Sequence, residues 1–220
     1  MSAAERASRI LFVAGWAAAL LLLVWLSVAV RGDRTLWLDD RIRLLVHAHA
    51  APAATAVMRG LSQIGQPAVL ISLGALIVFW LARIGRSRTA LLFAIVVAGA
   101  ELLDQLLKLV FHRPRPVPFF GLATPDGYSF PSGHALVSCA FFGSLAAIAA
   151  ARTTRGTLRM TYYAAAAATT GAIGFSRIYL GVHYPSDVLG GYAAAVVWCF
   201  SVVRWRSRAG PGQGAMGTPR

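Results

Sequence analysis

The strongest constraint on this chain is residues 10–30, a run of 21 positions without one charged side chain. At about 1.5 Å per residue a helix of this length crosses the hydrocarbon core of a bilayer, roughly 30 Å. A cleavable signal peptide carries a shorter apolar region, about 7–15 residues, so the run reads as a retained first span. Further spans are expected at 61–82, 90–111, 135–151, 160–175 and 185–203. The fifth of the six is short and rich in Ala, Thr and Gly, a composition that favours close helix packing in lipid. Charged residues make up 13% of the chain, against about 25% in soluble domains, which argues against an ordinary cytosolic globule. The expected fold is all-α: a polytopic membrane protein of six transmembrane helices in a single domain over 10–208. Residues 1–9 form a cytoplasmic N-terminus, and the Gly/Pro-rich residues 209–220 a disordered cytoplasmic tail.

The net charge is +13, but the basic residues fall in short clusters between apolar runs. That is the pattern of membrane loops rather than of a nucleic-acid surface. Of 20 arginines, 12 lie in the N-terminus, the loops after spans two and four, and the tail. The positive-inside rule puts those segments, and both termini, in the cytoplasm. The preference for Arg over Lys points to a bacterial inner membrane. Residues 51–60, with Met58 and Arg59, are expected as a short helix at the outer interface. Cys139 and Cys199 sit in apolar stretches far from any CxxC pattern and read as buried thiols.

The only lysine, Lys108, lies near the end of span three on a helix that also carries Glu101 and Asp104. Offsets of three and four residues place these groups on one helical face. Ionisable groups inside a span are costly, and two readings remain: a functional site, or an Asp104–Lys108 ion pair that pins helix packing. His112-Arg113-Pro114-Arg115-Pro116 follows where the span leaves the membrane. Pro131-Ser132-Gly133-His134 stands immediately before span four, and Ser176-Arg177, His183 and Asp187 bracket the turn between spans five and six. Spans three and five run in the same direction, so all three clusters emerge on one face. There Lys108, Arg115 and Arg177 can converge on one anion with the backbone amides of Gly133 and His134 at a helix N-terminus. Phosphate suits that set.

Pro185 fits the first position of a helix, which leaves His183 and Asp187 about one turn apart. A carboxylate on one imidazole nitrogen frees the other as nucleophile, and His134 is available as general acid. Taken singly, Ser132 is more often only a helix N-cap, and Gly133 only a turn residue, than either is catalytic.

Lys108-x6-Arg115-Pro116, Pro131-Ser132-Gly133-His134 and Ser176-Arg177-x5-His183-x3-Asp187 resemble the three signature blocks of the type 2 phosphatidic acid phosphatase superfamily. That superfamily unites lipid phosphate phosphatases with vanadium haloperoxidases on one helical core. The resemblance covers about 61–203, and the spacing of six after Lys108 selects Arg115 over Arg113. It implies a haloperoxidase-like helical core and a phosphohistidine on His183, with Asp187 orienting it and His134 protonating the leaving group. Lys108, Arg115, Ser132, Gly133 and Arg177 would bind phosphate. It further implies independence from metal ions and other cofactors, and a site at the extracytoplasmic face.

The expected partners are a lipid phosphate substrate and membrane lipids, with no nucleic acid. Phosphatidic acid, phosphatidylglycerophosphate, undecaprenyl diphosphate and a lipid A phosphate all fit as substrates. Phe119, Phe120, Tyr128 and Phe130 suit either a headgroup-level loop or plain packing against helix ends. A transporter that uses Glu101, Asp104 and Lys108 as a polar pathway and a catalytically silent scaffold are the alternatives. A transporter would leave two histidines and three cations at one surface unexplained, and complete motifs argue against a silent scaffold.

Overall fold

A computed structural model of the chain describes residues 3–208, with no strand among them. Eight helices follow in order: α1 (Ala3–Arg31), α2 (Leu36–Ala48), α3 (Pro52–Ile64), α4 (Pro67–Arg83), α5 (Ser87–Phe111), α6 (Gly133–Ala150), α7 (Gly156–Tyr179) and α8 (Pro185–Arg208). The tail 209–220, expected to be disordered, lies outside the described residues.

Four helices are long and apolar enough to cross a membrane: Ile10–Arg31 of α1, α5, α6 and Pro185–Trp205 of α8. The pair α3 and α4 makes a fifth candidate, bent by 49° at its break. The 24 residues of α7 give it the length, but not the apolarity, to join them. The span expected at 61–82 is therefore not one straight helix. It breaks at Gly65 and Gln66, and Gln66 is extended with ψ 128°. Pro67 explains this, because its ring disfavours helical backbone in the preceding residue and it has no N–H to give. The short helix expected at 51–60 is α3, which runs on to Ile64.

Helix α6 is the hub. Its Leu136 and Ala140 pack with Val96 and Ala100 of α5 and Ala194, Ala195 and Val202 of α8. Its Val137 and Phe141 pack with Leu70 of α4 and Phe93 and Val97 of α5. Small residues at these contacts let backbones approach closely. A Cβ at Gly191 would stand 2.7 Å from the Ser132 carbonyl oxygen, so α8 passes directly beside the start of α6. Outward-facing Leu76, Phe79, Trp80, Leu102, Leu106 and Leu109 are exposed, forming apolar surface that a bilayer would cover.

The start of α5 and the ends of α6 and α8 surround a cavity of about 410 Å³ that includes Arg86 and Arg152. The other end of the bundle collects the end of α5, the start of α6, the end of α7 and the start of α8. The 112–132 loop, α2 and α3 cover it. Phe119 stacks on His47 at 4.0 Å, Phe120 on Tyr179 at 5.6 Å, and Tyr128 meets His112 edge-on at 4.5 Å. Phe130 is fully buried beside Leu26 and Val30. Packing against helix ends, one of the two readings of these aromatics, is present.

Candidate active site

His183 sits in the turn between α7 and α8, and Asp187 in the first turn of α8, where the helix dipole favours a carboxylate. His183 Nδ1 lies 3.4 Å from Asp187 Oδ2. The same oxygen accepts from the Ser129 hydroxyl at 2.5 Å and the Tyr184 amide at 2.8 Å. Asp187 Oδ1 accepts from Arg113 at 2.6 Å. With every direction occupied, the fully buried carboxylate has one orientation.

On its other side, His183 Nε2 faces Arg115 Nη1 at 3.1 Å. A guanidinium only donates, so Nε2 offers its lone pair and Nδ1 carries the proton, donated to Asp187. Burial pushes the His183 pKa down to about 4 against the pull of Asp187, and Arg115 and Arg177 push the same way. The imidazole is therefore neutral at neutral pH. Arg115 is aimed by three backbone carbonyls: Gly127 at 3.1 Å, Asp126 at 3.2 Å and Val182 at 3.4 Å.

Ser132 stands just before α6 in extended backbone, and its hydroxyl makes no capping bond. Its amide donates to the Asp187 carbonyl at 3.0 Å, which ties the start of α6 to the start of α8. The first bond inside α6 runs from Leu136 N–H to Ser132 O. The amides of Gly133, His134 and Ala135 are thus the partner-free donors of a helix N-terminus. The buried Ser132 Oγ and Arg177 Nε have no protein partner. Arg177, in the last turn of α7, donates through Nη1 to Ser62 of α3. His134 has Arg177, His183 and Lys108 as its charged neighbours.

Lys108 donates to buried Asp104 at 2.5 Å, so the ion pair read from the sequence is present. One of its three donors is used. Glu101 accepts instead from Gln105 at 2.7 Å, which splits the expected three-residue cluster. Asp104 Oδ2 lies 2.6 Å from where a Cβ on Gly133 would sit, a close approach that only glycine allows. All eight residues expected at the site gather at this end of the bundle.

The spacing in the sequence set Arg113 aside in favour of Arg115, and nothing there singled out Asp39, Ser129, Ser186 or Ser62. Arg113 spends four of its five donors on Asp187, Ser186, Thr35 and Asp39. Burial opposes its charge, but the Asp187 and Asp39 carboxylates outweigh that and raise its pKa. The doubled Arg-Pro was the available signal for Arg113. Asp39 had none, being one of three aspartates in a loop-like stretch.

Residues 89–211 match the PAP2 superfamily. Phosphatidylglycerophosphatase B of Bacillus subtilis is 27% identical over 178 residues, spanning 80% of this chain and 87% of the relative. An undecaprenyl-diphosphatase of Sulfolobus acidocaldarius is 26% identical over 181 residues, 79% and 82% of the two chains. The crystal structure of a transmembrane PAP2-type phosphatidylglycerolphosphate phosphatase from Bacillus subtilis superposes with a TM-score of 0.80 at 25% identity, covering 88% of this chain and 96% of that one. The family match takes in more than half of a multi-pass helical chain that carries three phosphate-suited blocks at one end, and the chain belongs to the PAP2 superfamily as one of its membrane-integral phosphatases.

Proposed function

We propose that this protein hydrolyses a lipid phosphate monoester or diphosphate at the extracytoplasmic face, through a phosphohistidine on His183. The observation that carries the reading is the placement of His183, with its Nε2 turned toward Arg115 and its Nδ1 held by Asp187. At the same end of the bundle stand two buried donors without protein partners, Ser132 Oγ and Arg177 Nε.

In the first step the Nε2 lone pair attacks phosphorus and the bond to the leaving oxygen breaks. His134 gives its proton to that oxygen. In the second step His134 takes a proton from water, the water oxygen bonds to phosphorus, and the P–N bond breaks to release phosphate. Arg115, Arg177, Lys108 and the amides at the start of α6 hold the equatorial oxygens as charge builds on them. Ser132 Oγ adds one more donor.

Exposed Leu106, Leu109 and Val110 flank Lys108 on α5, so a lipid anchored in the bilayer can present its headgroup there. The extracytoplasmic placement rests on the arginines 83, 86, 88, 152, 155 and 159 at the opposite end of the bundle.

The test is phosphate release by the purified protein in detergent with EDTA. Phosphatidic acid, phosphatidylglycerophosphate, undecaprenyl diphosphate and a lipid A phosphate are the substrates, with His183→Ala alongside. Release by wild type alone, blocked by vanadate, is expected. Release that persists in His183→Ala removes the nucleophile from the proposal, and dependence on a divalent metal removes its metal independence.

A further inference from the structure

We propose that Arg113 and Asp39 form a buried positioning relay that sets the charge Asp187 presents to His183, a role outside phosphate binding. The inference rests on His183 as the nucleophile of the proposed reaction.

Arg113 Nη1 donates to Asp187 Oδ1 at 2.6 Å and to Ser186 Oγ at 2.7 Å. Its Nη2 donates to Asp39 Oδ2 at 2.8 Å and to Thr35 Oγ1 at 3.2 Å. Asp39 also accepts from the Ser186 amide at 2.9 Å and hydroxyl at 2.6 Å, so the start of α8 is bonded to α2 directly as well as through Arg113. The Tyr184 ring covers the guanidinium, with Cζ 4.1 Å from its centroid. Arg113 is 5% exposed and Asp39 2%, which leaves no path for an incoming phosphate to replace these partners. Asp39 lies outside residues 89–211, so α2 brings to the site a group the family match does not contain.

One cation is therefore shared by two buried carboxylates, and the balance between them acts on a third group. Asp187 stabilises the imidazolium of His183 by whatever negative charge Arg113 leaves uncompensated, and Asp39 determines how much of Arg113 is available. The charged and titratable groups around His183 are Asp187 of α8, Arg177 of α7, His134 of α6, Lys108 and Asp104 of α5, Arg113 and Arg115 of the 112–132 loop, and Asp39 of α2. Of these cations Arg113 is the one hydrogen-bonded to Asp187, and Asp39 is bonded to Arg113.

The sign is definite. Neutralising Arg113 exposes more of the Asp187 charge, favours the protonated imidazole and moves the acid limb of kcat/KM upward. Neutralising Asp39 frees Arg113 for Asp187 and moves the limb downward. A relay that merely held the fold would lower activity at every pH and displace neither limb.

The experiment measures kcat/KM in detergent at about pH 4 and about pH 7 for wild type, Arg113→Gln, Arg113→Lys, Asp39→Asn and His183→Ala on one lipid phosphate. A one-unit displacement of the His183 limb lowers the ratio of the two values about fivefold in Arg113→Gln and raises it nearly twofold in Asp39→Asn. Arg113→Lys restores most of the wild-type ratio, and KM stays within about twofold throughout because neither residue touches phosphate. Displacements of the same sign, or none, overturn the relay. If Arg113→Gln does not survive purification, Asp39→Asn decides alone, and an unmoved limb overturns the proposal. Full activity in His183→Ala instead overturns the reaction on which it rests, a result distinct from the other two.

Discussion

Arg115 Nη1 stands 3.1 Å from His183 Nε2, and this contact selects which imidazole nitrogen is free to act. The same guanidinium is held in place by the carbonyls of Asp126, Gly127 and Val182. A lysine there keeps the charge but loses the planar fork that satisfies these acceptors while facing the phosphate of the proposed reaction. Arg115→Lys is expected to lower kcat/KM by about 10- to 100-fold, mostly through KM. Steady-state kinetics on a lipid phosphate checks this, and an unchanged KM would remove Arg115 from the phosphate.

His183 makes stability depend on pH in a definite direction. Its folded pKa is about 4, below the ordinary value of about 6.5 for an unfolded histidine. Between those values the unfolded chain binds more protons than the folded one, so stability rises with pH through the window and is lost as pH falls. The contribution is about 3 kcal/mol in full. Thermal unfolding in detergent should fall more steeply between about pH 7 and pH 4 for wild type than for His183→Gln. Equal slopes would mean that His183 titrates normally.

Gly133 leaves no room for a side chain, since a Cβ would lie 2.6 Å from Asp104 Oδ2 and 3.1 Å from its Cγ. Gly133→Ala must displace Asp104, and with it the Lys108 ammonium bonded to it. A loss of about 1–3 kcal/mol is expected from overpacking, with a fall in phosphate release beyond what that loss explains. Differential scanning fluorimetry and the phosphate assay measure the two effects. Wild-type values in both would show that Asp104 swings aside freely.

The proposed orientation is open to labelling. In a variant lacking Cys139 and Cys199, Thr124→Cys in the 112–132 loop should react with an impermeant maleimide on intact spheroplasts. Arg152→Cys, at the opposite end of the bundle, should react only after permeabilisation. Both positions are exposed, so the reagent reaches each once on its side. The reverse pattern would place the site in the cytoplasm.

What can be read from this sequence is what local composition and spacing carry. Residues 10–30 announce a membrane helix because a bilayer demands an unbroken apolar run. The blocks at Lys108–Pro116, Pro131–His134 and Ser176–Asp187 point to a phosphate chemistry because each keeps its donors within about three helical turns of sequence. Pro67 stands at the break between α3 and α4, but the apolar residues on either side of it read as one span.

The tertiary structure decided the rest. Neighbouring residues of the same type, Arg113 and Arg115, face opposite sides of the imidazole–carboxylate pair, one on Asp187 and one on His183. Asp39 meets Arg113 across 74 positions of sequence. Glu101 and Asp104, three residues apart on α5, part company because only Asp104 finds Lys108 and the gap at Gly133. A sequence lists charges one at a time. Which of them pair is set by where packed helices bring them in a medium too apolar to leave any alone.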